Sequence, residues 1–309
     1  MNVAVIDVVI VNWNSGNSLE RCLCSIKNYG ADLLRQIIVV DNGSTDGSEG
    51  VCSKYDHVTL IRVGTNLGFA KACNIGAKNV SSDWILFLNP DTALLPNSIS
   101  NLSKGLELVS ANVGICGVQL VNEAGAVART CVRFPTASQF FLHTVGLDRF
   151  WPRLGYPMLD WDHATTCNVD QIMGAFYLVR LHIFEELKGF DERFFVYMDD
   201  LDFSYRAMKM GWQSKYISEI QVFHEGGGCS KNVKASRLFY LLRSRMQFTL
   251  KYFRKPMALL QVSAIIGIEP WTRFAGALLS SHATTNVKEL FQAYLRLLIW
   301  IRNEWMIKK

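Results

Sequence analysis

Apolar residues in the first part of the chain fall into short unbroken runs separated by polar, turn-rich stretches. Residues 7–11 (DVVIV), 36–40 (QIIVV), 58–63 (VTLIRV) and 84–88 (WILFL) are such runs. Continuous aliphatic runs of this length predict strands covered on both faces, as in a parallel sheet. Between them the period changes. NWNSGNS is a turn in which Asn17 or Ser18 can cap a helix carrying Leu19, Leu23 and Ile26. DNGSTDGS reads as a turn-rich loop opening another helix, and NLGFAKACNIGAKNV reads as a loop and then a helix. Strand and helix alternate at βαβ spacing, which predicts a doubly wound α/β sheet.

The alternation ends near Gln119. Residues 120–165 are mixed, with FPTASQF and RFWPRLGYP marking irregular connections. QIMGAFYLVR (171–180) predicts another strand. GFDERFFVYMDDLDFSYRAMKMGW predicts a loop and then a helix from about 201 to 210, stopped by Gly211. YISEIQVFH predicts a late strand ending at His224, and 231–309 is mostly helical by spacing. The expected organisation is a catalytic domain over 1–230, with a nucleotide-binding half (1–119) and an acceptor half (120–230). A helical C-terminal extension over 231–309 follows.

Composition narrows the class. With 309 residues, half of them hydrophobic, the chain can bury a full core. A charged fraction of 19% does not describe a disordered tail. The eight Cys are scattered without a CxxC pair, which predicts free thiols in a reducing cytoplasm, neither a disulfide framework nor a zinc site. The N-terminal MNVAVIDVVIVNWN has no basic n-region and contains Asp7, so it does not read as a signal peptide. No run of 18 apolar residues predicts a membrane span. Charge is unevenly placed. From Lys231 onward there are fourteen Lys or Arg against three Glu, a net +11; since the whole chain carries +5, the first 230 residues carry −6. A basic, aromatic C-terminal segment suits the anionic inner face of a membrane. A solvated helix face, core packing or a homodimer contact would use the same residues. Nucleic acid is not expected as a partner.

Candidate chemistry collects where ligands bind in open α/β sheets, beyond the carboxyl ends of the strands. The predicted strands end in Asn12-Trp13-Asn14, in Asp41-Asn42-Gly43, near Asn66, in Asn89-Pro90-Asp91, and in His224. NWNSGNS contains one Gly and no Lys or Arg, which excludes a GxGxxG dinucleotide fingerprint and a Walker phosphate loop. Asp41 is placed to accept a hydrogen bond from a base or ribose. Asp91, behind a proline that fixes its own φ, suits a hard cation bridging a diphosphate; a helix cap for TALLPNS is the alternative. His224 reads as a ligand to that ion or as a structural histidine. Asp199, Asp200 and Asp202 lie within four residues of one another. They suit either a helix N-terminus or a general base whose pKa is raised by its neighbours.

These motifs resemble family 2 glycosyltransferases of the GT-A fold, in the bacterial rhamnosyltransferase-like branch. The resemblance rests on VVIVNWNSGNSLERCLCSI, IIVVDNGSTDGS, NLGFAKACNIGAK, ILFLNPDTAL, MGAFYLVR, GFDERFFVYMDDLDFSYRAMKMGW and VFHEGGGCS, in that order over roughly residues 6–250. It implies a Rossmann-like, mostly parallel sheet with flanking helices. It implies a donor site drawing on Asn12, Asp41, Asn66, Asn74, Asn89 and Gly174, with Asp41 at the base and Gly174 allowing close approach of the sugar. Asp91, with His224, would hold Mg²⁺ or Mn²⁺; Asp200 would be the catalytic base, with Asp199 beside it. Two positions depart from the family pattern: Asn89 stands where the metal motif carries its first acid, and Asp199 where the Glu of a Glu-Asp pair is usual. The implied activity is inverting transfer of a sugar, L-rhamnose as the first choice, from a dTDP- or UDP-linked donor to a lipid-linked cell-surface glycan. A nucleotidyltransferase and a non-catalytic nucleotide-sugar binder are the competing readings.

Overall fold

The computed structural model describes residues 5–30, 33–107, 109–226, 233–278 and 283–307. Its strands are β1 (Ile6–Asn12), β2 (Leu34–Asp41), β3 (Val58–Arg62), β4 (Trp84–Leu88), β5 (Thr92–Leu94) and β6 (Val113–Val121). They continue with β7 (Cys131–Val132), β8 (Cys167–Val169), β9 (Gln171–Ile172), β10 (Phe176–Arg180) and β11 (Gln213–His224). The helices are α1 (Ser18–Tyr29), α2 (Phe69–Ala77), α3 (Ser98–Glu107), α4 (Ala137–Val145), α5 (Leu181–Glu186) and α6 (Asp199–Lys209). Four more close the chain: α7 (Lys234–Tyr252), α8 (Lys255–Gly267), α9 (Glu269–Leu278) and α10 (Ala283–Ile307).

Nine strands form one sheet in the order β3-β2-β1-β4-β10-β6-β11-β5, with β8 paired to β11. β1, β2, β3 and β4 run parallel; β10 is antiparallel to β4 and β6, and β11 returns parallel to β6. The unbroken apolar runs follow from the period-2 alternation of a strand covered on both sides. On β1, Ile6, Val8 and Ile10 pack with Leu19, Leu23 and Ile26 of α1 and Leu102 of α3. Val9 and Val11 point the other way, with Ala70 and Cys73 of α2, Ile183 of α5 and Phe203 of α6. The same split separates Ile37 and Val39 from Ile38 and Val40 on β2, and Leu86 and Leu88 from Ile85 and Phe87 on β4.

Three local expectations are corrected. TALLPNS does not begin a helix: Thr92–Leu94 is β5, and α3 starts only at Ser98. That removes the helix-cap reading of Asp91. The strand expected over 171–180 is two pieces, β9 and β10, separated by Met173-Gly174-Ala175. α6 begins at Asp199, so all three clustered acids stand in its first turn.

The chain divides into two compact units. One comprises Met1–Phe134, Trp161–Phe195 and Asp199–Cys229, and holds the sheet; the other comprises Pro135–Asp160, Val196–Met198 and Ser230–Lys309. Residues 135–160, whose sequence pattern was only irregular, thus group with the C-terminal helices. In that second unit Leu242, Met246, Ile265 and Leu297 form the apolar centre. Beside them Arg245, fully buried, donates to Glu269 at 2.7 Å and to Thr144 at 2.5 Å. Among the described residues no helix is long and apolar enough to cross a membrane. Cys22, Cys52, Cys73, Cys116 and Cys131 are buried free thiols, and Cys24 and Cys167 are free. Cys229 lies outside the described residues.

Candidate active site

The carboxyl edge of the sheet gathers most of the predicted polar residues, and strand register explains how. Asn12 and Asp41 are direct partners at the ends of β1 and β2. Asn12 is fully buried; its amide nitrogen lies 3.1 Å from Asp41 Oδ1, 3.1 Å from Ser44 Oγ and 2.9 Å from Ser48 Oγ, and its carbonyl accepts from Ser15. Among the described residues Asp41 takes one further bond, a long one of 3.4 Å from the Ser44 N–H. The carboxylate is therefore oriented by Asn12 while keeping acceptor capacity for a ligand.

Asn66 is positioned by a residue that the sequence pattern did not single out. Asn42, 2% exposed, donates to Asn66 Oδ1 at 3.1 Å and to the Gly68 carbonyl at 3.3 Å, and accepts from Leu67 N–H at 2.9 Å. Gly43 makes this fit possible. Its φ is +77°, and a Cβ there would lie 2.7 Å from the Thr65 backbone. The available signal was the polar strand end Asp41-Asn42 itself, but nothing local distinguishes an organiser from an ordinary turn residue.

Asn74 lies elsewhere in this arrangement. Its amide donates to Phe190 O at 2.9 Å and to Glu192 Oε1 at 3.2 Å and accepts from Phe190 N–H at 2.9 Å, so both ends are spent on the 190–192 stretch. Nearby, Phe69 N–H donates to Phe195 O at 2.6 Å. The segment thus pinned leads directly into Asp199. Tyr197 and Met198 adopt φ of +68° and +65°, two successive left-handed residues without glycine, a conformation that persists only where the surroundings impose it.

Asp91 and His224 meet because β5 and β11 are antiparallel neighbours, with His224 opposite Thr92. His224 Nε2 is 3.3 Å from Asp91 Oδ1, and Asp91 is 6% exposed. Two donor atoms each roughly 2.1 Å from one cation and about 90° apart would be roughly 3 Å from one another. The pair therefore fits two adjacent positions around a divalent ion. Among the described residues no group of three or more His, Cys, Asp or Glu side chains gathers for a metal. The remaining positions would fall to diphosphate oxygens and water, the usual habit of Mg²⁺.

The acid pair is connected to this edge through backbone. Asn89 N–H donates to Ala175 O at 3.0 Å, and the adjacent Gly174 N–H donates to Asp200 Oδ2 at 2.9 Å. The interruption between β9 and β10 thus frees an amide that a regular strand would have used in the ladder. Leu201 N–H donates to Asp200 Oδ1 at 2.8 Å, and Tyr177, hydrogen-bonded to Ser204 at 2.6 Å, donates to the Asp200 carbonyl at 3.4 Å. Asp202 is different. Arg206 bonds it at 2.8 Å and ties it to Leu187 O and Gly189 O, which makes it structural. Among the described residues no cation pairs with Asp199 or Asp200. Burial pushes Asp199 far above the ordinary carboxylate range, and the neighbouring Asp200 adds to it. Burial also raises Asp200, but the Gly174 and Leu201 amides oppose the rise.

A mostly parallel sheet, an Asp–His pair at its carboxyl edge and an acid pair joined to that edge describe a GT-A glycosyltransferase. The chain belongs to glycosyl transferase family 2. The model of that family matches residues 7–155, and the glycosyl transferase family group 2 model matches residues 84–246. The chain is 30% identical over 251 residues to the N-acetylglucosaminyl-diphospho-decaprenol L-rhamnosyltransferase of Mycobacterium tuberculosis, a match covering 76% of this chain and 80% of that one. It is 27% identical to the rhamnosyltransferase WbbL of Escherichia coli K12, over 70% of this chain and 82% of that one. These relatives place it in the rhamnosyltransferase-like branch. The fold matches the mannosyltransferase PcManGT of Pyrobaculum calidifontis, solved with GDP-Man and Mn²⁺, at a TM-score of 0.55 and 16% identity, covering 95% of this chain and 86% of that one. TarS of Staphylococcus aureus, solved with UDP-GlcNAc, matches at 0.53 and 14% identity, covering 94% and 81%.

Proposed function

We propose that this glycosyltransferase is an inverting rhamnosyltransferase, moving L-rhamnose from a nucleotide-diphosphate donor, dTDP first, to a lipid-linked glycan acceptor. The observation that carries the inverting transfer is the backbone link from Asn89 through Ala175 and Gly174 to Asp200. It sets a carboxylate of raised pKa beside an edge that can hold a diphosphate. The rhamnose and the lipid-linked acceptor rest on the relatives' named activities.

Asp200 is the base. Its carboxylate accepts from the Gly174 and Leu201 amides, which favour its ionised form. It accepts the proton of the acceptor hydroxyl as that oxygen bonds the anomeric carbon. The bond from that carbon to the diphosphate breaks on the opposite face, and its electron pair leaves with the nucleotide diphosphate. Mg²⁺ or Mn²⁺ held by Asp91 and His224 would offset the charge that builds on the leaving group. Asp41, fixed by Asn12, takes the donor's base or ribose, with Asn66 and Asn89 along the same edge. Asn74, whose amide is engaged with Phe190 and Glu192, acts as a positioning residue for the segment that delivers Asp199 and Asp200.

The test is a transfer assay with dTDP-L-rhamnose and an N-acetylglucosaminyl-diphospho-polyprenol acceptor, alongside UDP-sugars. Transfer from dTDP-L-rhamnose with inverted configuration is expected. Turnover confined to UDP-sugars would sink the rhamnose assignment, and a retained anomeric configuration would sink Asp200 as base.

A further inference from the structure

We infer that the face formed by α8 and α9 docks on an anionic lipid surface, with Trp271, Leu259 and Leu260 entering the interfacial region and Arg254 and Lys255 resting on the headgroups. The inference rests on this face alone and does not depend on the sugar or on the base assigned above.

The solvent side of these helices is unlike that of an ordinary soluble helix. α8 buries Ala258, Gln261, Ala264 and Ile265. The opposite side should then be polar. Instead Leu259 and Leu260 are exposed on it; Met257 and Ile268 are exposed at the two ends of the helix, and Trp271, Phe274 and Leu278 are exposed along α9. Trp271 is 73% exposed and Leu259 61%. Between Arg254 and Leu278 no exposed residue is acidic, and Glu269, the one acid in that stretch, is buried. The exposed cations are Arg254 and Lys255, at the start of α8. Exposed apolar side chains cluster in this unit. The sheet-bearing unit exposes few large apolar residues, and these are scattered as Tyr29, Val127 and Met208 are.

Large apolar side chains exposed at this density along two successive helices mark an interaction site. Charge decides the occupant. The segment from Lys231 onward carries +11. A second copy laid on the same face would bring like charges together, whereas an anionic surface is attracted to them. Tryptophan at a half-polar boundary and Lys or Arg at the edge of an apolar face are the side chains an interfacial helix uses. The helices lie on the surface; they do not span it, in keeping with their length and composition.

The experiment is co-sedimentation of the full chain with vesicles of phosphatidylglycerol and phosphatidylcholine, and with phosphatidylcholine alone. Mass by light scattering and donor hydrolysis are measured in parallel. Wild type is expected to bind the phosphatidylglycerol vesicles, more weakly as salt rises. Leu260→Glu with Trp271→Glu, and separately Arg254→Glu with Lys255→Glu, should each weaken binding roughly tenfold or more. All of these residues are exposed, so thermal unfolding and donor hydrolysis in vesicle-free solution should stay at wild-type levels. Absence of binding at low salt, or equal binding by the variants, overturns the inference. So does a wild-type dimer that the Leu260 and Trp271 exchanges dissociate, because a second copy would then cover the face. Lost vesicle binding with intact donor hydrolysis separates failure here from failure of the transferase reading.

Discussion

The two edges of the sheet treat buried carboxylates in opposite ways. At the amino edge Asp7, fully buried, receives Arg35 Nε at 3.0 Å, Arg35 Nη2 at 2.5 Å, Ser81 N–H at 2.9 Å and Ser82 N–H at 3.2 Å. Burial alone would raise its pKa, but these bonds outweigh it and hold the carboxyl below the ordinary range. At the carboxyl edge Asp199 is buried and Asp200 partly buried, neither meets a cation among the described residues, and their pKa values are raised. A saturated carboxylate ties strands together and can do little else. One left short of partners destabilises the fold and remains available for chemistry. Residue type is the same at both edges; the guanidinium that meets Asp7, and has no counterpart among the described residues at Asp199 or Asp200, separates structure from function.

The sharpest way to break this contrast is a pair of exchanges. Asp200→Asn should lower transfer by about 10²–10⁴-fold, the usual worth of a positioned base, with no loss of melting temperature. Asp7→Ala should keep kcat yet cost roughly 2 kcal/mol, moderated because Arg35 is half exposed, as read from denaturant midpoints. Should Asp7→Ala abolish turnover in folded protein, or Asp200→Asn leave it intact, the division of labour between the edges is wrong. Next in size, Asp91→Asn or His224→Ala should weaken Mn²⁺ activation by at least the tenfold to hundredfold, roughly, that loss of a metal's outer-shell partners costs. Titrating Mn²⁺ against donor hydrolysis measures it, and unchanged half-activation in both variants would remove the cation from this pair.

Asn74→Leu sharpens the positioning reading. With the Phe190 amide and carbonyl unpaired, kcat should fall by up to about 10²-fold while donor KM stays near wild type. A rise in donor KM alone would return Asn74 to the donor site. The smallest effects are in pH dependence. Activity should climb with pH through an acid limb set above the ordinary carboxylate range, because Asp200 works ionised. Stability should move with opposite signs at the two edges. The raised pKa of Asp199 makes it stabilising below its unfolded value, and that contribution is lost as pH rises through its folded value. The lowered pKa of Asp7 makes it stabilising above its unfolded value, lost as pH falls through its folded value. Melting curves of Asp199→Asn should therefore decline less than wild type from acid toward neutral pH, and a parallel decline would contradict the assignment.

Much of the fold was legible in the chain. The unbroken runs DVVIV, QIIVV and WILFL could only be strands covered on both faces, and the polar residues after them could only gather at one edge of a parallel sheet. What stayed illegible depended on neighbours far away in sequence. TALLPNS became β5 because β11, more than a hundred residues later, supplied a pairing edge. QIMGAFYLVR broke at Gly174, and the freed amide found Asp200.

By itself, then, the sequence determined the strands, the edge at which chemistry collects and the candidate acids, because periodicity and strand polarity are local properties. Only the tertiary structure decided which acid is which. Asp7 met Arg35, Asp202 met Arg206, Asp91 met His224, and among the described residues Asp199 and Asp200 met no cation. A carboxylate's pKa and role depend on what lies within a few ångströms of it, and strand register, not chain order, sets that distance.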